Sequence, residues 1–219
     1  MGDMPVLRSV NVGRPKDAPW AELGRTSIDK TPVAGPVAVH TLGLEGDQVS
    51  DVEHHGGVDQ AVYAFAREDM DRWVEELGTE IRDGQFGENL TTVGIDVNGA
   101  EIGERWAIGT AELEICAVRI PCNDFKEWMG LSGYDNSVWV KRFAADGRPG
   151  PYLRVTRPGV IAASDEISVV HRPGHGVTVS VMFRAWTTEK ELLPRLLEVE
   201  GLAAKARARA EAYLATLQR

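Results

Sequence analysis

Cysteine is scarce in this chain, with Cys116 and Cys122 the only 2 among 219 residues. So few thiols exclude a disulfide framework, and the Cys116-x5-Cys122 spacing fits neither a CxxC redox pair nor a zinc ribbon. A four-cysteine iron–sulfur set, a GxGxxG fingerprint and a P-loop are all lacking, so the chain shows no means of its own for taking electrons from a nicotinamide. Positive charge is also in short supply: 24 Lys and Arg face 33 Asp and Glu, for a net charge of −9. That balance argues against nucleic acid as a partner, because backbone binding rests on a basic surface. No apolar run approaches the ~18 residues of a membrane span. The opening residues Met1 to Val6 carry neither a basic segment with an apolar run nor a myristoylation signal, so the expected location is the cytosol.

What the chain has in quantity is punctuation. Of its 23 glycines and 11 prolines, 20 and 9 fall in the first 170 residues, where they divide short runs rich in valine and isoleucine, the pattern of an all-β barrel or sandwich. The expected strands include Val6 to Val12, Val37 to Leu42, Ala61 to Phe65, Ala111 to Val118, Tyr152 to Thr156 and Glu166 to Val170. One helix interrupts them: Met70, Trp73, Val74 and Leu77 recur at helical spacing from Arg67 to Leu77, and Gly78 follows as a stop. Residues 171–219 hold 8 Lys/Arg against 5 Asp/Glu, leaving 16 against 28 in residues 1–170. This asymmetry predicts two units, 1–170 and 171–219, joined at the turn His171-Arg172-Pro173-Gly174. In the tail, Thr188-x-x-Glu191 reads as a capping box, and Leu202, Ala206, Ala210, Tyr213, Leu214 and Leu217 form the stripe of a terminal helix. Val177 to Val181 has strand composition in a helical neighbourhood, and composition alone leaves both readings open.

Cys122 is the most informative single residue. It follows the strand-like run Ala111 to Val118 in the turn Arg119-Ile120-Pro121-Cys122, and proline cannot continue a strand, so the thiol belongs at an element end. A thiol there serves as a small apolar residue, a nucleophile or a soft metal ligand, and an arginine three residues earlier favours the thiolate. Cys116 alternates with Leu113, Ile115 and Ala117, which places it on the opposite strand face as a packing residue. Three more segments combine glycine with polar side chains: Leu42 to Asp47, His54-His55-Gly56-Gly57 and Phe86 to Thr91. Taken singly, these are turn chemistry with solvent-facing side chains.

In this order and spacing the segments resemble the molybdenum cofactor sulfurase C-terminal (MOSC) domain family, and within it the hydroxylaminopurine-resistance branch. The matching positions run from Thr26 to Val33 through Leu42 to Asp47, His55-Gly56-Gly57-x-Asp59, Arg67-Glu68, Phe86 to Thr91, Ile102-Gly103, Arg119-x-Pro121-Cys122 and Tyr152 to Val155. The resemblance implies a mainly β fold: a closed MOSC-type barrel with a few helices over 1–170, followed by a small C-terminal three-helix unit over 171–219 that begins with the ambiguous stretch Val177 to Trp186. It also implies molybdenum cofactor, a pterin with a dithiolene and a phosphate, as the bound group. Cys122 matches the family's cysteine and is the expected molybdenum ligand or sulfur-handling group. Lys30, His55, Arg67, Asn89 and Arg119 fall on matching positions and are the expected cofactor contacts, and Arg25, Lys30, Arg67 and Arg119 supply the local positive charge that an anion needs in an acidic protein. Departures from the family pattern fall at Val58, Ala66, Glu104 and Ser164, where proline, proline, aspartate and glycine are usual.

The expected activity is reduction of N-hydroxylated compounds, such as N-hydroxylated bases, to amines. Cys122 and His55 are its catalytic residues, with His55 as proton donor because imidazole titrates near neutral pH. Electrons are expected from a separate flavoprotein or ferredoxin, which the basic tail helices would dock. Two alternatives stand beside this one: a non-catalytic carrier of the cofactor or of a Cys122 persulfide, and a zinc protein using His54, His55 and Cys122, for which no structural-zinc spacing exists.

Overall fold

The computed structural model describes residues 4–217 apart from the His54 side chain. Its first half holds β1 (Val6–Val12), β2 (Lys16–Asp17), β3 (Arg25–Thr26), β4 (Thr31–Pro32), β5 (Val37–His40), β6 (Gly43–Leu44), α1 (Val52–His55), a 3-10 turn (Val58–Gln60), β7 (Val62–Ala66), α2 (Arg67–Leu77), β8 (Leu90–Val93) and β9 (Arg105–Ile108). Then follow β10 (Ala111–Val118), α3 (Asn123–Leu131), α4 (Trp139–Asp146), β11 (Pro151–Arg157), β12 (Gly159–Ile161), β13 (Ile167–His171), α5 (Val179–Thr187), a 3-10 helix (Lys190–Glu198) and α6 (Ala204–Leu217).

Eight strands form the main sheet in the order β13-β9-β10-β11-β7-β8-β1-β4, and β12-β5-β6 forms a smaller one. Pairing is antiparallel except between β7 and β8, which run parallel around α2. A parallel neighbour needs such a crossover, and burial on both faces suits a continuous apolar strand. All five residues of β7, Val62-Tyr63-Ala64-Phe65-Ala66, are accordingly buried. Helix α2 starts directly where β7 ends and stops at Gly78, whose left-handed φ of 66° lets its amide reach the Val74 carbonyl.

The main sheet curls but is not the closed barrel expected from the sequence. Its ends meet at one isolated bridge, Val6 with Glu166, supported by bonds from Leu7 N to Asp165 O and from Ile167 N to Pro5 O. No strand ladder continues from that bridge, because β1 pairs with β4 at its far end, through Asn11 and Val12. The fold is also richer in helix than expected. α3 and α4 carry Phe125, Trp139 and Phe143 into an aromatic cluster with Trp73 and Phe86, ring centroids lying 4.8–6.4 Å apart. Burying such rings removes apolar area worth about 2–3 kcal/mol each.

Val177 to Val181 divides between the two readings of its composition. Val177 accepts a bond from Ile102 N, while Thr178 caps α5 by accepting from Val181 N. Phe183 of α5 meets Phe143 at 6.2 Å. The capping box at Thr188 does not form: Thr188 terminates α5, and the next helical segment is 3-10, starts at Lys190 and contains Pro194. Glu189 is held instead by Arg184 at 3.1 Å.

Ser164, one of the four departures from the family pattern, adopts φ 75° in the turn before β13 and donates its amide to Leu7 O at 2.7 Å. A Cβ in the left-handed region costs roughly 1 kcal/mol that glycine avoids. Ser164→Gly is therefore expected to raise unfolding stability by about 0.5–1 kcal/mol, read by urea denaturation; a loss of stability would show that the strain is absent.

Candidate functional site

A cleft opens between the 22–30 segment, the 47–51 loop, α1, the start of β7, the 87–89 turn and the β10–α3 connection. Cys122 stands on its wall. β10 ends at Val118, Pro121 prevents further strand, and Cys122 takes extended φ and ψ of −116° and 174° as the residue that caps α3. Its thiol is free and partly exposed.

Arg119 lies deeper, 6% exposed. Its guanidinium carbon sits 4.9 Å from the Phe125 ring centre and 5.3 Å from that of Tyr63. Its Nε has no hydrogen-bond partner and none of the ion pairs among the described residues includes it, while the guanidinium donates to the Tyr152 hydroxyl. Burial opposes its charge, while Tyr152, Tyr63 and Cys122 favour it, and the balance lies with the cation. A buried charge left without a carboxylate is costly unless something else answers it.

Lys30 is buried differently. Its Nζ pairs with Asp47 Oδ1 at 2.5 Å, and burial still holds its pKa below the usual lysine value against the pull of Asp47. Asp47 also accepts from Gly13 N at 2.7 Å and from Asn89 Nδ2 at 2.9 Å. The Asn89 amide is committed on its other side too: Oδ1 accepts from Tyr63 N at 3.1 Å and Nδ2 donates to Asn11 O at 3.2 Å. Asn89 therefore braces the cleft wall. Arg25, on β3, is exposed at the mouth, and His55, at the end of α1, is half-buried on the wall.

Six of the seven residues picked out from the sequence thus line one cleft. The seventh, Arg67, does not. It opens α2, where Asp71 and Asp83 pair with it at 2.7 and 3.2 Å and the Ile81 carbonyl accepts from it at 2.7 Å. Those partners hold it as a clasp on the 81–83 turn. Cys116 is buried as a packing residue, but not on the opposite face that alternation gave it. A register shift in β10 between Ile115 and Ala117 buries both Ile115 and Cys116, where strict alternation would separate them. Its thiol donates to Asp59 O at 3.2 Å, and burial pushes its pKa up to about 12. Among the described residues no three His, Cys, Asp or Glu side chains gather to hold a metal ion; the His54 side chain of the zinc reading lies outside them.

Sequence reasoning missed Asp47, Tyr63, Phe125 and Asp124. Asp47 ends a segment noticed for its glycines, and the two rings sit in apolar patterns that say nothing of a cation. Asp124 accepts from Glu22 N at 3.2 Å at the mouth, and burial raises its pKa despite that bond. Glu88 braces the turn from below: it accepts from Gly84 N, from Phe86 N at 3.0 Å and from Thr91 Oγ1 at 2.9 Å.

The cleft of this curled, mixed sheet presents a free thiol and a buried guanidinium that no carboxylate among the described residues pairs with. The model of the MOSC domain matches residues 51–168, more than half of the chain, and the protein belongs to that family. Protein YiiM of Escherichia coli is 27% identical over 182 residues, covering 81% of this chain and 79% of that one. A protein of Gibberella moniliformis named "Reductase" is 30% identical over 175 residues, 77% of this chain but 30% of that much longer one. The crystal structure of YiiM from Geobacillus stearothermophilus superposes with a TM-score of 0.77 at 26% identity, covering 95% of this chain and 98% of that one. The family relation supports a role associated with molybdenum cofactor. No helix among the described residues is long and apolar enough to cross a membrane.

Glu88 makes the stability of this region depend on pH. Burial raises its pKa from 4.5 to about 7 against the three hydrogen bonds it accepts. The folded chain therefore holds this proton more tightly than the unfolded one. Its contribution is complete below about pH 4.5 and lost as pH rises through about 7, amounting to roughly 3 kcal/mol. Glu88→Gln is expected to flatten the fall in unfolding free energy between pH 5 and pH 8; equal slopes in both proteins would remove Glu88 as its source.

Proposed function

We propose that this protein is a molybdenum-cofactor-dependent reductase of N-hydroxylated compounds, such as N-hydroxylated base analogues, supplied with electrons by a separate flavoprotein or ferredoxin. The observation that carries the reading is the pairing of Cys122 with Arg119 in one cleft. The residues fit the cofactor in two respects: a buried cation with an unpartnered Nε answers an anionic pterin phosphate, and a soft thiol suits a metal already bound to sulfur. When bound, the cofactor supplies two-electron chemistry and a metal centre able to accept oxygen.

The remaining work falls to the chain. Cys122 holds the metal, while Arg119, Lys30 and Arg25 hold the anionic parts, Lys30 with its charge already shared with Asp47. Reduction of R–NHOH to R–NH2 and water consumes two electrons and two protons. The His55 imidazole, on the cleft wall, is the proton donor to the departing hydroxyl. The chain has neither a dinucleotide fingerprint nor an iron–sulfur set, which is why the electrons are assigned to a partner. The helical tail of residues 171–219, which packs on the sheet's core through Phe183, is where that partner docks. The name "Reductase" carried by the Gibberella moniliformis relative supports the reaction class.

The test uses protein made in a host that produces the cofactor, wild type beside Cys122→Ala, analysed for molybdenum and pterin and assayed with a chemical reductant and an N-hydroxylated base. Molybdenum and turnover are expected to disappear together in the variant, with the unfolding midpoint unchanged. Full turnover by the metal-loaded variant would remove Cys122 from the chemistry. A wild-type protein that retains molybdenum without turnover would instead be a carrier.

A further inference from the structure

Two buried cations face the same cleft, and the fold treats them in opposite ways. Lys30 is paired with a carboxylate, Asp47, at 2.5 Å. Arg119 is equally buried but is met by aromatic rings, Phe125 at 4.9 Å and Tyr63 at 5.3 Å, with no carboxylate among the described residues. A ring face attracts a cation without cancelling its charge, whereas a carboxylate cancels it. Both rings are themselves fixed. Phe125 packs against Phe86, Trp139 and Phe143 at 5.4–5.5 Å, and the Tyr63 hydroxyl donates to Pro149 O at 2.6 Å, which ties it to the backbone. Gly87 sits against the guanidinium, where a Cβ would stand 3.7 Å from Arg119 Nη1 and 3.1 Å from Ile28 Cγ1, and the guanidinium donates a hydrogen bond to the Tyr152 hydroxyl.

We propose that Phe125 and Tyr63 are positioning residues that hold Arg119 in place as an unneutralised cation, so that its full charge is kept for the anionic part of the ligand. The proposal rests on the reading of the cleft as an anion site and adds how that site is kept cationic. Lys30, already paired, contributes position and little net charge; Arg119 contributes the charge. The rings act through Arg119 and touch no reacting atom.

Inorganic pyrophosphate serves as the probe, with affinity measured by calorimetry on the full chain. Phe125 is replaced by 4-fluoro-, 3,4,5-trifluoro- and pentafluorophenylalanine, which keep the ring's shape while progressively removing the negative potential of its face. Affinity is expected to fall in step with fluorine number, by about five- to ten-fold at the pentafluoro end, while the thermal unfolding midpoint stays near that of the parent. Tyr63→Phe, which keeps the ring and loses only the bond to Pro149, is expected to bind pyrophosphate as the parent does. A flat affinity across the fluorinated series would overturn the proposal and leave the rings as packing. Parent protein that fails to bind pyrophosphate, or Arg119→Met that binds it equally, would overturn the anion-site reading and the proposal with it. The lightly fluorinated members keep the comparison valid if the pentafluoro protein does not fold.

Discussion

The side-chain amide of Asn89 is the smallest group on which the cleft depends. It bonds to Tyr63 N, Asn11 O and Asp47 Oδ2, joining β7, β1 and the loop before α1. The backbone of the same residue repeats two of those links, donating to Tyr63 O at 2.8 Å and accepting from Asn11 N at 2.7 Å. A carboxamide offers donors and an acceptor on one rigid plane, so one residue can satisfy three chain segments that would otherwise bury unpaired polar groups. The position of Asp47 follows from this, and through Asp47 that of Lys30. Tyr63 is fixed from the same point, and its ring in turn lies beside Arg119.

Burial of charge is handled within this frame by a division of labour. Removing either partner of Lys30 and Asp47 would strand a charge out of water, so the pair is a commitment of structure. Arg119 is kept charged among rings, with its Nε unanswered by the protein. Other buried donors are unanswered too, among them Trp73 Nε1, Trp139 Nε1 and Arg154 Nε, and Arg119 differs from them in lining the cleft. The acidic character of the chain as a whole does not contradict a cationic pocket, since the field inside a cleft is set by the few groups facing it.

Much of the framework was legible in the sequence because local patterns decide it. β1 and β10 fall where their runs of valine, isoleucine and leucine begin and end, and α2 follows its helical spacing to the glycine stop. What failed is non-local. Whether a curled sheet closes depends on what pairs with its last strands, and no single segment records that Asn11 and Val12 are taken by β4. Alternation could not reveal the bulge that buries Cys116, because a bulge is a mismatch between two strands. Arg67 carries the right chemistry in a matching motif, yet Asp71 and Asp83 claim it. The cleft residues drawn from the sequence were those whose chemistry is visible in their type. Phe125 and Tyr63 look like core residues from composition, and they are core residues as well.

The cleft draws its walls from stretches near residues 25, 50, 60, 88, 120 and 152, brought together only when β1, β7, β8, β10 and β11 have all found their neighbours. Contacts between such distant stretches, including a parallel pair across a helical crossover, are slow to form because each must close a long loop first. The pocket is therefore complete only once all of those pairings have formed. Cys122 lies on the fifth of these stretches, so its thiol is joined to the other walls only through pairings that span most of the chain.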